Sequence, residues 1–142
     1  SGTRFWSMQT VDLPTVKQTL AHTPNIIASW LFGAAQNGVV RPGGDLDIGV
    51  LFAEKPLLDE LADLRGALQD ATDFEEIDLV VLNGASPILR FEAVCGRLLT
   101  DQDTAERVAF VSLTAREYEH SMAMLERGLA MRRDLQAGQA DR

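Results

Sequence analysis

The segment Asp45 to Phe52 constrains this chain more than any other part of it. Leu46, Ile48, Val50 and Phe52 share one side of a strict alternation, and Asp45, Asp47, Gly49 and Leu51 share the other. A period of two is the signature of a β-strand, so the segment is expected to be a strand that aims both aspartates the same way. Gly38, Pro42, Gly43 and Gly44 mark the loop before it. Ile26 to Phe32, rich in β-branched and aromatic residues, reads as an earlier strand running into a turn at Gly33. Ile77 to Leu82, apolar except for Asp78, reads as a third strand closed by Asn83-Gly84, and Arg97 to Thr100 as a short fourth.

Helical patterns fill the intervals. Leu13 to Ala21 has Pro14 in its first turn and Val16 and Leu20 in i, i+4 spacing. From Pro56, the spacing of Leu57, Leu61, Leu64, Leu68 and Ala71 predicts an amphipathic helix of about four turns with acids on its outer face. A short helix is expected from Pro87 to Val94, broken by Gly96. Asp103-Thr104-Ala105-Glu106 has the form of a capping box, opening a helix expected over about 103–134. Its seam is Val108, Val111, Ala115, Tyr118, Met122, Leu125 and Leu129. Thirty residues of helix span about 45 Å, more than a domain of this size covers with itself. Part of the seam is therefore expected to meet another chain; the alternative is a first half packed on the sheet and an end that frays beyond Gly128. The expected fold class is α/β (α+β): a small mixed β-sheet with flanking helices and a long C-terminal helix, as a single domain over 1–142 with its core at about 13–100.

Charge narrows the chemistry. The net charge is −8, and Gly43 to Asp78 holds eleven acids against Lys55 and Arg65. That balance disfavours nucleic acid as a direct partner. One cysteine and two histidines far apart leave no zinc spacing, so a metal would need oxygen ligands, for which Asp45, Asp47 and Asp78 are the candidates. No apolar run approaches the roughly 18 residues of a membrane span. The opening Ser1-Gly2-Thr3-Arg4 does not lead into an apolar segment, so the cytoplasm is the expected compartment. Cys95 is expected as a small buried side chain, Trp6, Trp30 and Phe32 as core, and His22 as a helix-end residue.

Gly33-Ala34, ten further residues, Asp45-Leu46-Asp47, a helix, Asp78 on a later strand and then Leu82-Asn83-Gly84-Ala85-Ser86-Pro87 form a recognisable order. It resembles the minimal nucleotidyltransferases of the DNA polymerase β superfamily, whose signature is Gly-Ser, ten residues, Asp-x-Asp. The resemblance covers roughly Ile26 to Thr100 and implies a nucleotidyltransferase fold. It implies that Asp45, Asp47 and Asp78 are catalytic and hold Mg²⁺, with ATP as substrate. It places Gly33, Ala34, Asn37 and Arg41 at the nucleotide. It further implies an antitoxin that transfers AMP to a tyrosine of a HEPN-domain ribonuclease toxin, its partner in a hetero-oligomer.

The chain departs from the pattern at the turn. Ala34 stands where the family has Ser, and Ala35 and Asn37 stand where arginines are common. One lost hydroxyl contact to a charged group costs about 1.5–3 kcal/mol unless another group, such as Arg41, replaces it. The alternative reading is therefore a catalytically weak or inactive module that neutralises its toxin by binding and masking. Transfer to a small molecule such as an aminoglycoside has no sequence feature behind it.

Overall fold

The computed structural model describes residues 7–140; Ser1-Gly2-Thr3-Arg4 and Trp6 lie outside them. In chain order the elements are β1 (Gln9–Thr10), α1 (Leu13–Ala21), β2 (Ile26–Phe32), β3 (Val39–Val40), β4 (Leu46–Phe52), α2 (Leu58–Thr72), β5 (Ile77–Val81), α3 (Pro87–Val94), β6 (Arg97–Asp101) and α4 (Thr104–Ala140). Single 3₁₀ turns occupy Gly33–Ala35 and Leu82–Gly84. Four strands form a mixed sheet in the order β5-β4-β2-β6, in which only β4 and β5 run parallel, with α2 as their crossover. β1 and β3 make a separate two-stranded ribbon that was not legible as strand, β3 lying within the expected loop and β1 ahead of the first helix.

The alternation along β4 becomes two cores. Leu46, Ile48, Val50 and Phe52 join Leu13, Val16 and Leu20 of α1 and Leu64 and Leu68 of α2 on one face. Leu51 joins Trp30 and Phe32 on the other, under Ala93 of α3 and Phe110 and Val111 of α4. A sheet covered on both faces has apolar residues at both parities, which is why only the start of β4 retains acids. The α2 stripe is narrower than its sequence spacing suggests: Leu64 and Leu68 are buried and Leu61 is partly so, whereas Leu57 is exposed because it precedes the first turn, its N–H donating to Glu60 at 3.4 Å.

Local bonds fix the helix ends. The Asp12 carboxylate accepts from the Thr15 hydroxyl at 2.6 Å and from its N–H at 3.2 Å, which holds the Asp12 carboxyl below its usual range. Asp103 Oδ1 accepts from the Glu106 N–H at 3.2 Å, which supplies the Asp103 half of the expected capping box on α4. His22 ends α1, its ring nitrogen 2.7 Å from the Gln18 carbonyl oxygen. Asn83 donates to the Phe52 carbonyl at 2.8 Å and accepts from the Phe52 N–H at 3.0 Å, closing the end of β4. Arg90 then donates to the carbonyls of Leu82 and Asn83, pairs with Glu117 at 3.7 Å and lies over the Phe110 ring. That single side chain ties α3 and α4 to the end of β5.

The long helix keeps the middle of its expected seam and not its ends. Val111, Ala115, Tyr118 and Met122 are partly buried, with Phe110 and the fully buried Thr114 beside them, whereas Val108 is 49 % exposed and Leu125 and Leu129 are exposed. It does not fray at Gly128 but continues to Ala140, with Met124, Leu125, Leu129, Met131 and Leu135 exposed. No helix among the described residues is long and apolar enough to cross a membrane.

Close approach at Gly96 gives a test of this packing. A β-carbon there would run into the Leu31 carbonyl oxygen and the Phe32 side chain, so β6 could not stay seated on β2. Gly96→Ala is expected to destabilise the protein by about 1–3 kcal/mol, read as a lower midpoint in urea; an unchanged midpoint would contradict the register of this edge.

Candidate active site

Register brings the acids together. In the parallel pair of β4 and β5, Asp47 is the direct partner of Asp78, and the antiparallel partner of Asp47 on its other side is Phe32, the residue before the Gly33 turn. Asp47 and Asp78 have the strand parity of Gly49 and Val80, so both point to the face that α3 and α4 cover. That cover stops short of them. Asp47 is half-buried, while Asp78 at the start of edge strand β5, and Asp45 just ahead of β4, are exposed. Asp78 thus avoids the burial cost of an apolar strand by position alone. No lysine or arginine among the described residues lies within ion-pair distance of it; the ion pairs there are Arg90–Glu117 and Arg107–Asp101.

Gly33 has φ +77°, and a β-carbon on it would collide with the Asp47 carboxylate. Glycine is therefore required twice over, by the left-handed backbone and by the carboxylate pressed against it. Ala34 is exposed beside it. Asn37 is turned back on its own loop, its side-chain oxygen accepting from the Val39 N–H at 3.1 Å. Arg41 lies on the wall of a separate cavity of about 530 Å³ with Glu75 and Glu76. Of the seven residues singled out from sequence, Gly33 and Asp47 are in contact distance, Asp78 and Asp45 adjoin Asp47, Ala34 flanks the turn, and Asn37 and Arg41 serve other neighbours.

A cavity of about 670 Å³ opens beside the turn, walled by Phe32, Gly33 and Ala34, by Phe91 and Glu92 of α3, and by Tyr118 of α4. Phe91 and Tyr118 stack at 3.9 Å between ring centroids, 8° from parallel. Cys95 also borders this cavity and is exposed, contrary to its expected burial, because it is the C-cap residue of α3, where the chain turns out of the helix. Sequence reasoning missed Phe91, Glu92 and Tyr118, since two distant helices supply them and no motif spans the interval.

Burial raises the Asp47 carboxyl above its usual range, and the charges of Asp78 and Asp45, a hydrogen bond with Asp78 and the charge of Glu92 push it further the same way. Among the described residues no three His, Cys, Asp or Glu side chains already converge as a metal cage. The donor set nonetheless fits a hard divalent cation: it is all oxygen, exposed on one side, and strained by a repulsion that a cation relieves.

That repulsion should appear in stability. A carboxyl raised in the folded state loses stabilisation as pH climbs through its folded pKa, and carries no penalty below the ordinary Asp value of about 3.9. In metal-free buffer, Asp47→Asn is expected to raise the unfolding midpoint by a few degrees at pH 7, with the gain vanishing as the pH falls below that value. A midpoint that drops at pH 7 would show that the three carboxylates do not repel.

No curated protein matches the chain. Among solved structures, a chain of a toxin–antitoxin complex with AMP-PNP is 25 % identical with a TM-score of 0.68, covering 88 % of this chain and 98 % of that one. A chain of the MntA–HepT toxin–antitoxin is 25 % identical with a TM-score of 0.63, covering 87 % and 96 %. A complex of tri-AMPylated Shewanella oneidensis HEPN toxin with MNT antitoxin shares the fold at 23 % identity and a TM-score of 0.63, covering 88 % and 99 %. Residues 14–105, more than half of the chain and including the Gly33 turn and all three aspartates, match the family described as Polymerase beta, Nucleotidyltransferase, and the protein belongs to that family.

Proposed function

We propose that this protein is a Mg²⁺-dependent nucleotidyltransferase and an antitoxin, moving AMP from ATP onto a tyrosine hydroxyl of a HEPN-domain ribonuclease toxin. It works as one domain over 1–142, in the cytoplasm. The observation that carries this reading is Asp47 seated between the Gly33 turn and Asp78, with Asp45 at the mouth of the same strand. In this reading Asp45, Asp47 and Asp78 hold Mg²⁺, which when bound neutralises the triphosphate. The Gly33–Ala34 backbone lies against the phosphates and donates N–H groups to them. The acceptor hydroxyl oxygen attacks the α-phosphorus in line, the bond to the bridging oxygen breaks, and pyrophosphate leaves. Asp78, exposed on the edge strand, is reachable by a protein acceptor and takes the hydroxyl proton on its carboxylate.

The exposed apolar face of α4 supports a protein partner. Leu125 is 50 %, Leu129 49 % and Leu135 66 % exposed on a helix that runs beyond the sheet. The complexes of similar chains are with toxins, and one of those toxins is AMPylated.

A second reading, neutralisation by masking alone, is favoured by the turn: Ala34 has no hydroxyl, Asn37 is engaged with Val39, and Arg41 faces another cavity. Two measurements separate the readings. Calorimetry with ATP and Mg²⁺ is expected to give micromolar binding that weakens at least about 10-fold in Asp47→Asn, and mass spectrometry of the co-incubated toxin to show AMP on tyrosine. An unmodified toxin that is still neutralised by Asp47→Asn would establish masking instead. Leu125→Glu with Leu129→Glu is expected to weaken toxin binding by at least about 10-fold while leaving the unfolding midpoint unchanged, since neither side chain is part of the core; unaltered toxin binding would remove α4 from the interface.

A further inference from the structure

The cavity between the Gly33 turn, α3 and α4 has a composition that phosphate does not suit. Its volume, about 670 Å³, is that of a small-ligand site. Its walls are Phe32, Ile88, Phe91 and Tyr118, with the Gln36 amide at one side, and the one charged side chain on them is Glu92. A triphosphate placed there would meet a carboxylate with no cation between them. In the nucleotidyltransferase reading the cation lies at Asp45, Asp47 and Asp78, so the phosphates belong beside those acids and the uncharged part of the nucleotide is left to enter the adjoining cavity.

The order of groups in a nucleotide then fixes which part meets Glu92. The ribose is attached directly to the α-phosphate, and the base lies beyond it. Glu92 borders the turn side of the cavity closely enough for its charge to be felt at Asp47, whereas Ile88 lies one helical turn earlier on α3. An ionised carboxylate only accepts hydrogen bonds. A ribose diol offers two donors, and a carboxylate receiving ribose hydroxyls is an established solution in dinucleotide-binding folds. Phe91 and Tyr118, already stacked on each other, supply an apolar wall for the base.

We propose that Glu92 is a specificity-determining residue that accepts hydrogen bonds from the ribose hydroxyls of the bound nucleotide and so selects ribonucleotides over deoxyribonucleotides. The inference rests on the nucleotidyltransferase reading given above. It assigns to α3 a role that neither the aspartates nor the glycine turn performs. Because Glu92 is exposed and makes no ion pair among the described residues, its replacement leaves the core intact.

The test is calorimetric titration of the full chain with Mg²⁺ and either ATP or 2′,3′-dideoxy-ATP, for the wild type, Glu92→Ala and Glu92→Gln. The wild type is expected to prefer ATP by about 10-fold or more, as for a lost hydrogen bond to a charged group. Glu92→Ala is expected to bring the preference close to one by weakening ATP alone, and Glu92→Gln, which keeps an acceptor oxygen, to retain part of it. ATP binding with no sugar preference in the wild type, or with a preference that survives Glu92→Ala, overturns the role of Glu92 and leaves the nucleotidyltransferase reading standing. Absence of binding by either nucleotide overturns both.

Discussion

The parallel pairing of β4 with β5 is the constraint on which the site depends. It sets Asp47 directly beside Asp78, two carboxylates on one face, and the neighbouring antiparallel strand delivers the Gly33 turn against the first of them. Like charges at adjacent register positions oppose folding. The chain accepts that cost at one end of the sheet only, where α3 and α4 do not reach, so that water screens Asp78 and Asp45 and only Asp47 is left partly desolvated. Such a local conflict, set at the end of otherwise apolar strands, is characteristic of a functional site.

The remainder of the fold holds that register. α1 and α2 seal one face with aliphatic side chains, and the crossover helix α2 makes the parallel pairing possible. The opposite face is closed by α3 and the first half of α4, and here polar bonds matter as much as apolar ones. Asn83 clamps the end of β4, and Arg90 connects that clamp to Glu117 and Phe110 of the long helix. The cavity beside the Gly33 turn exists because these two helices are held a fixed distance from the sheet. Its shape therefore depends in part on contacts at the opposite end of β4 from the acids.

The long helix divides into two parts with different physics. Through Thr114 and Tyr118 it is a core element; beyond Ser121 it presents Met124, Leu125, Leu129, Met131 and Leu135 to solvent. This half gains little from its own tertiary packing, and exposed apolar side chains one turn apart, Leu125 and Leu129, suit the surface of another protein. The same helix thus carries both the Tyr118 wall of the cavity and these exposed side chains.

Much of this was written in the sequence. The period of two in Asp45 to Phe52, the spacing of α1 and α2 leucines, the turn at Gly33 and the cap at Asp103 are local signals, set by the geometry of neighbouring residues, and each produced its element. The order Gly33, Asp45, Asp47, Asp78 likewise pointed to the nucleotidyltransferase family. What the sequence could not decide was which residues meet across the fold: that Asp47 pairs with Asp78 rather than lying a strand away, that Arg41 faces Glu75 and Glu76 and not the turn, that Cys95 is exposed, and that Glu92, Phe91 and Tyr118 border the same cavity. Those meetings depend on strand order and helix placement, long-range choices fixed by the packing of two cores at once, which no local spacing encodes.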